Sequence, residues 1–299
     1  MVYNGSARGR NRRVRDASAR RPVAPPTGRL PTVPRYPSLA PSLVPKYLGG
    51  AGAGPRSHLA QGSRAPAPPR PTLPRRPASP SVALMFAKRF TDVTTWVFDL
   101  DNTLYPPSSA LFDQIEAKMT KWVMDALGVS HAEADRLRAE YWRDYGTTLA
   151  GLMQVHGIDP GPYLEEVHDI SFAPLHPDPE LAARIGDLPG RRIVFTNATV
   201  PYAERVIEAR GLSGLFDAIY GVEQAGYHPK PHVEAFETVF AADGLDPLAA
   251  AMFEDDPRNL AVPHAKGMRT VHVAPEARPA AHIHYHTDNL PAFLAEAMR

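Results

Sequence analysis

Thr94-Thr95-Trp96-Val97-Phe98-Asp99-Leu100-Asp101-Asn102-Thr103 decides how this chain is read. The β-branched and aromatic run over 94–100 predicts a buried strand, and two carboxylates stand where the chain leaves it. Downstream, Leu111, Ile115, Met119, Trp122 and Val123 recur at helical spacing. A second helix is predicted over 131–144, after a Ser130 cap with Glu133 three residues on, and shorter ones near 147–156 and 160–168. No strand signal interrupts them, so 108–168 reads as a compact helical insertion.

After Pro179 the pattern alternates. Strands are predicted at Arg192–Phe195, Ala218–Tyr220, Ala250–Phe253 and Thr270–Val273. The helices that follow them are predicted at Pro201–Arg210, Pro231–Ala241, Arg258–Lys266 and Leu290–Met298. Pro201 and Pro231 suit first helical turns, and Gly211 and Gly267 suit helix ends. Alternating βα units imply an α/β fold: a doubly wound, Rossmann-like parallel sheet covered on both faces. The expected organisation is a core of 85–106 and 175–299, an inserted helical cap of 107–174, and a disordered Arg/Pro-rich segment of 1–84.

Charge supports that last division. The 299 residues carry a net charge of +1, yet 1–84 hold 14 Arg and 1 Lys against the single acid Asp16, leaving the rest acidic. Those 84 residues also hold 16 of the 33 prolines, which lack the amide donor that helices and ladders need. Few large apolar residues are available to offset the entropy of ordering. Three readings compete for the segment: a basic tail touching nucleic acid or an acidic surface, a targeting segment, or translated upstream sequence ahead of a start at Met85. The last is favoured. An acidic folded portion disfavours nucleic-acid binding there. The absence of cysteine excludes disulfides, thiolate metal sites and cysteine nucleophiles. No apolar run reaches the length of a membrane helix, and the N-terminus lacks the apolar centre of a secretory signal, so a soluble cytoplasmic protein without membrane partners is expected.

In sheets of this kind ligands bind at the carboxyl ends of the strands. The first strand ends in Asp99-Leu100-Asp101, where one carboxylate can attack phosphorus while the other handles a proton. Phosphate-monoester hydrolysis has one of the highest uncatalysed barriers known, and a bare carboxylate would be repelled by the dianion, so a cation and further donors must accompany it. The next strand ends supply candidates. Thr196 and Asn197 can hold phosphoryl oxygens. Lys230, ahead of a helix, can neutralise nucleophile and phosphate. Glu254-Asp255-Asp256, with Asn259, suits Mg²⁺. Each piece alone is commonplace: acidic pairs are mostly solvated loops, a Thr after a strand mostly caps a helix, and a Lys before one is mostly surface. Their order on one alternating sheet would require four coincidences.

The wording of these stretches resembles the haloacid dehalogenase superfamily. Phe98-Asp99-Leu100-Asp101-Asn102-Thr103-Leu104-Tyr105-Pro106, Thr196-Asn197-Ala198, Tyr227-His228-Pro229-Lys230-Pro231 and Phe253-Glu254-Asp255 are similar to its pyrimidine 5′-nucleotidase-like branch. The similarity runs from about Thr94 to the C-terminus. It implies a phosphoric monoester hydrolase in which Asp99 forms an aspartyl-phosphate and Asp101 serves as general acid, then base. It also implies that Asp99, the Asp101 carbonyl and Asp255 hold Mg²⁺, that Thr196, Lys230 and Asn197 bind the phosphoryl group, and that helices 108–168 close as a cap. The expected substrate is a small phosphorylated metabolite, a pyrimidine nucleoside 5′-monophosphate first. A phosphatase or phosphomutase for another small phosphate, such as a sugar phosphate or phosphoglycolate, is the alternative; a nucleic-acid-binding protein using the basic arm is the second. Many relatives have Gly-Asp-Ser at 254–256, which leaves open whether Asp256 shares the metal, and an acid where Asn259 stands.

His282, His284 and His286 alternate and in a strand would share a face; an exposed, partly irregular segment is the favoured reading, because no carboxylate pattern completes a metal site. Trp122, Tyr141, Trp142 and Tyr145 are expected to be packing residues, with Tyr105 the better candidate to line a pocket. His156 and His168 carry no signal of their own.

Overall fold

A computed structural model describes residues 90–299. The expectations for 1–84 and for a start at Met85 lie outside these residues.

Six parallel strands form one sheet: β1 Thr95–Phe98, β2 Arg191–Phe195, β3 Ala218–Tyr220, β4 Ala250–Glu254, β5 Arg269–Val273 and β6 Tyr285–Thr287, ordered β3-β2-β1-β4-β5-β6. Strands buried on both faces alternate which helix layer they serve. Trp96, Phe98, Val194, Phe253 and Val271 enter one cluster, while Val97, Ile193, Phe195 and Met252 enter the other. On the first face Phe98 stacks on Phe253 at 4.8 Å, and the buried Trp96 satisfies its indole N–H on the Pro189 carbonyl at 2.8 Å.

The helices are α1 Leu111–Leu127, α2 His131–Tyr145, α3 Thr148–His156, α4 Pro160–Val167, α5 Pro179–Gly186, α6 Val200–Ala209, α7 Val233–Asp243, α8 Ala261–Ala265 and α9 Leu290–Ala297. The first four all fall between β1 and β2, where the sequence places an insertion. Ser130, Thr147 and Asp159 cap α2, α3 and α4 by accepting a backbone N–H. Phe236, Val239 and Phe240 of α7 cover the second face of the sheet. No helix among the described residues is long and apolar enough to cross a membrane.

Several expectations need correction. Pro231 does not open a helix: it follows Lys230 through a cis peptide, His232 is the N-cap, and α7 begins at Val233. The helix expected from Arg258 is a 3-10 turn, Pro257–Leu260, running into the short α8, because Asp256 caps that turn by accepting Arg258 N–H. The histidine-bearing segment is partly irregular, over 281–284, and its remainder contributes β6. Its histidines serve the backbone: His282 Nε2 meets Pro257 O, His286 Nε2 meets Ala274 O, and His284 Nδ1 accepts Thr270 N–H at 3.2 Å. Helix α5, capped by Asp178, was absent from the sequence reading.

The chain enters β2 through Gly190, whose φ is +79° and whose Cα packs against the Thr94 carbonyl that Arg191 N–H bonds at 2.8 Å. A Cβ there would collide with that carbonyl. Gly190→Ala is expected to destabilise the protein by about 1–3 kcal/mol, read as a lower urea midpoint; an unchanged midpoint would show that the entry to β2 relaxes freely.

Candidate active site

The strand order reverses at β1, which lies between β2 and β4, so a crevice opens between the carboxyl ends of β1 and β4. Asp99 follows β1, Glu254 ends β4, and Asp255 follows it. After Asp99 the chain doubles back. Leu104 N–H bonds the Leu100 carbonyl at 2.9 Å, and Asn102 takes a left-handed φ of 59°, which Asn tolerates. This turn carries Asp101 out of the strand and brings Thr103 Oγ1 back to Asp99 Oδ2 at 3.1 Å.

Lys230 reaches the same point from the loop before α7. Its Nζ donates to Asp99 Oδ1 at 2.7 Å, Glu254 Oε2 at 2.7 Å and the Phe195 carbonyl at 2.9 Å, so all three ammonium protons are used. Lys230 and Glu254 are each 1% exposed. The Lys230 backbone is held in turn by Asn197, whose Oδ1 accepts Lys230 N–H at 2.8 Å and whose Nδ2 donates to Lys230 O at 3.1 Å. Thr196, beside it, is buried, with Oγ1 accepting Ala198 N–H at 3.0 Å.

Carboxylate oxygens of Asp99, Glu254 and Asp255 lie within 4.8 Å of one another. Burial first, then the Glu254 charge, pushes Asp99 up to about 7 despite Lys230. Asp255 is held well above the ordinary range by burial and by the charges of Glu254 and Asp99. Burial works against the Lys230 ammonium, but Asp99 and Glu254 outweigh it and hold it above its usual value. Asp256 is elsewhere, paired with the Arg258 guanidinium at 2.7 Å.

Asp101 stands across the loop. Tyr105 Oη donates to its Oδ1 at 2.6 Å, and Tyr202 Oη, from α6, donates to the same oxygen at 2.8 Å. Burial and the Asp99 charge raise Asp101 to about 6, and the two phenols pull against that rise. Tyr105, expected to line a pocket, is instead buried on Asp101. His168 stacks on Tyr202 at 4.5 Å and is depressed to about 4 by burial and by Arg205.

A cavity of about 420 Å³ runs from Asp101 and Asn197 up among α1, α2 and α4. Asp99 is 5% exposed and does not line it. The sequence candidates Asp99, Asp101, Thr196, Asn197, Lys230 and Asp255 therefore all stand at the carboxyl edge of the sheet. Sequence reasoning missed Glu254 as the second partner of Lys230, although its place at the end of a strand beside β1 was a usable signal. It also missed Tyr202, for which no local signal exists, since 101 residues separate it from Asp101.

A family model for haloacid dehalogenase-like hydrolases matches residues 93–264. This chain belongs to that family. Phosphate metabolism protein 8 of Saccharomyces cerevisiae is similar to the hydrolase at 29% identity over 174 residues, 53% of this chain and 54% of the yeast protein. The hydrolase thus spans about half the length of that curated relative. Among solved structures, CbbY of Rhodobacter sphaeroides is similar at 19% identity and TM-score 0.49, over 68% of this chain and 99% of that one. Protein SP0104 of Streptococcus pneumoniae, a haloacid dehalogenase-like family protein, is similar at 15% identity and TM-score 0.49, over 70% and 100%.

The charge imbalance has a measurable consequence. The folded state binds the Asp99 proton more tightly than the unfolded chain does, where Asp titrates near pH ~4. The stability Asp99 confers is therefore greatest below that pH and is lost as pH rises toward about 7. His168, lowered to about 4, contributes the opposite slope and cancels in the difference between variants, which reports Asp99 together with the part of the Asp101 and Asp255 rises that its charge causes. In chelator, the melting temperature of Asp99→Asn minus that of the wild type is expected to grow between about pH 5 and pH 8. A difference independent of pH would mean that Asp99 ionises normally.

Proposed function

We propose that this hydrolase is a Mg²⁺-dependent phosphomonoesterase acting through an aspartyl-phosphate on Asp99, with pyrimidine nucleoside 5′-monophosphates as its substrates. The observation that carries the reading is the Asp99–Lys230–Glu254–Asp255 cluster at the β1/β4 crevice, facing a second carboxylate whose proton affinity is raised.

Asp99 Oδ attacks phosphorus and the bond to the leaving oxygen breaks. Asp101 gives its proton to that oxygen, which a pKa near 6 permits around neutral pH. Both phenols donate to Oδ1, so Oδ2 is the oxygen left to carry the transferable proton. Asp101 then takes a proton from water, which attacks the aspartyl-phosphate and returns Asp99. Lys230 screens Asp99 from the incoming dianion, and Thr196 supplies a hydroxyl to the phosphoryl oxygens. Asn197 acts by fixing the Lys230 backbone.

The donor set fits a hard divalent cation. Three clustered carboxylates face one ammonium, and Asn259 Oδ1 is buried with no hydrogen-bond partner among the described residues. Glu254 already accepts Lys230 Nζ and Asp256 N–H, so Asp99 and Asp255, with the Asp101 carbonyl, would hold the ion. When bound, Mg²⁺ supplies the positive charge that lets a carboxylate and a phosphate dianion approach. Residues 107–174 serve as the cap that closes over the crevice, and 85–106 with 175–299 as the core.

Phosphate release should be measured from UMP, CMP, AMP, glucose 6-phosphate and phosphoglycolate, with Mg²⁺ and with chelator. Turnover of UMP or CMP is expected with Mg²⁺ alone, and Asp99→Asn should lower it on the order of 10³-fold or more. Retained turnover in Asp99→Asn would sink the nucleophile assignment. Turnover of the non-nucleotide esters alone would keep the mechanism and discard the nucleotidase branch.

A further inference from the structure

We infer that Tyr202, braced by His168 of the helical insertion, is a positioning residue for Asp101: its hydroxyl holds one carboxylate oxygen so that the other meets the leaving oxygen of the ester. The inference rests on the phosphomonoesterase reading and adds a residue to its machinery.

Asp101 stands in the turn after β1, outside regular structure, so no ladder or helix aims its side chain. Two phenols converge on its Oδ1, Tyr105 Oη at 2.6 Å and Tyr202 Oη at 2.8 Å. Tyr105 belongs to the same stretch of chain. Tyr202 comes from the first turn of α6 and ties Asp101 to a separate element. Both tyrosines are 1% exposed and neither lines the cavity, whereas Asp101 does. Tyr202 therefore reaches a substrate through Asp101 and not by touching it. Packing alone would be served by phenylalanine; what the hydroxyl adds is its bond to the carboxylate.

The Tyr202 ring is itself held by the segment through which the insertion returns to the sheet. His168, the residue that closes α4, stacks on it at 4.5 Å with the planes 20° apart, and Phe172 lies against it at 5.8 Å. Thr199 Oγ1, the cap of α6, accepts Tyr202 N–H at 3.4 Å, so its own proton can go to His168 Nδ1 at 3.3 Å. Arg205, one turn further along α6, lies over the Phe172 ring at 4.3 Å and donates to the Ile170 carbonyl at 3.5 Å. These contacts fix the ring, the ring fixes the hydroxyl, and the hydroxyl fixes Oδ1 of Asp101. Oδ2 then gives its proton to the leaving oxygen as the bond to phosphorus breaks. A general acid contributes about 10²–10⁴-fold, and only when it stands within hydrogen-bond reach of the atom it protonates.

The leaving group supplies the test, because an alkoxide needs the proton and p-nitrophenolate, a far weaker base, does not. Phosphate release should be measured on the full chain with Mg²⁺, from the alkyl ester of the panel above that turns over best and from p-nitrophenyl phosphate. In Tyr202→Phe, which keeps the ring against His168, kcat and kcat/KM for the alkyl ester should both fall about tenfold. For p-nitrophenyl phosphate kcat/KM, which reports the steps up to the aspartyl-phosphate, should fall less than about threefold. His168→Ala should give a smaller loss of the same selectivity, and no further loss when combined with Tyr202→Phe. Equal losses of kcat/KM on the two esters, a loss carried by KM, or a full additional loss in the double variant would overturn the positioning role and leave the phosphomonoesterase reading standing. A wild type that hydrolyses no ester would overturn that reading, and the positioning role with it.

Discussion

One ammonium is shared between two carboxylates at the bottom of this structure, and the sheet edge is organised around it. Lys230 Nζ lies 2.7 Å from both Asp99 and Glu254, with all three groups nearly sealed from water. Removing one partner of such a buried arrangement typically costs about 3–5 kcal/mol, because the charge left behind cannot be solvated. The cluster is therefore a constraint on the fold as much as a feature of the site. It ties the end of β1 to the end of β4 and fastens the loop before α7 to both. The Phe195 carbonyl at the end of β2 accepts the third ammonium proton, so three neighbouring strands close on one nitrogen.

The arrangement leaves negative charge in excess. With Asp255 added, three carboxylates converge on a single cation, and Asp99 is driven toward protonation near neutrality. A sequence selected for stability alone would replace one of the acids by an apolar or amide side chain. Keeping them suits the proposed site, which would accept a further positive charge and then a phosphate. Asp101 obeys the same logic from the other side. Burial first, then the Asp99 charge, raises its proton affinity, while the two phenols limit the rise and occupy one of its oxygens.

How much of this was legible in the sequence follows from the range of each interaction. Strands such as Ala218–Tyr220 announce themselves by local composition, and the parallel order follows from alternation with helices. The candidate residues could be picked out because ligands in such sheets bind at strand ends: Asp99, Thr196 and Asp255 follow β1, β2 and β4 directly, and Lys230 comes from the loop before α7. What was not legible is whatever depends on pairing across long separations. Tyr202 on Asp101 and Glu254 on Lys230 are contacts whose partners carry no mutual mark in the chain. Strand β6 is three residues long and mixes histidine with tyrosine, which is too little for a periodicity to show. Pro231 misled because a proline before a helix usually begins it; here it belongs to the turn that presents Lys230.

The helical insertion is joined to the sheet edge through the last carbonyls of α2, and the joint lies next to the carboxylate cluster. A helix leaves its final carbonyls without intrahelical donors and carries partial negative charge there. Arg258 donates to Trp142 O at 2.9 Å and lies over the Trp142 ring, and His232 Nε2 meets Tyr145 O at 2.8 Å. Both donors come from the sheet side: Arg258 from the turn just after Asp255, His232 from the cap of α7 two residues past Lys230. Asp256 grips the Arg258 guanidinium and so fixes its reach. Asp255 and Lys230, two of the residues proposed to meet the cation and the phosphate, therefore sit on the same two loops that hold the end of α2. A shift of either loop would act on the end of α2 through these contacts. The helical insertion and the sheet edge are in this way connected by hydrogen bonds as well as by the chain itself.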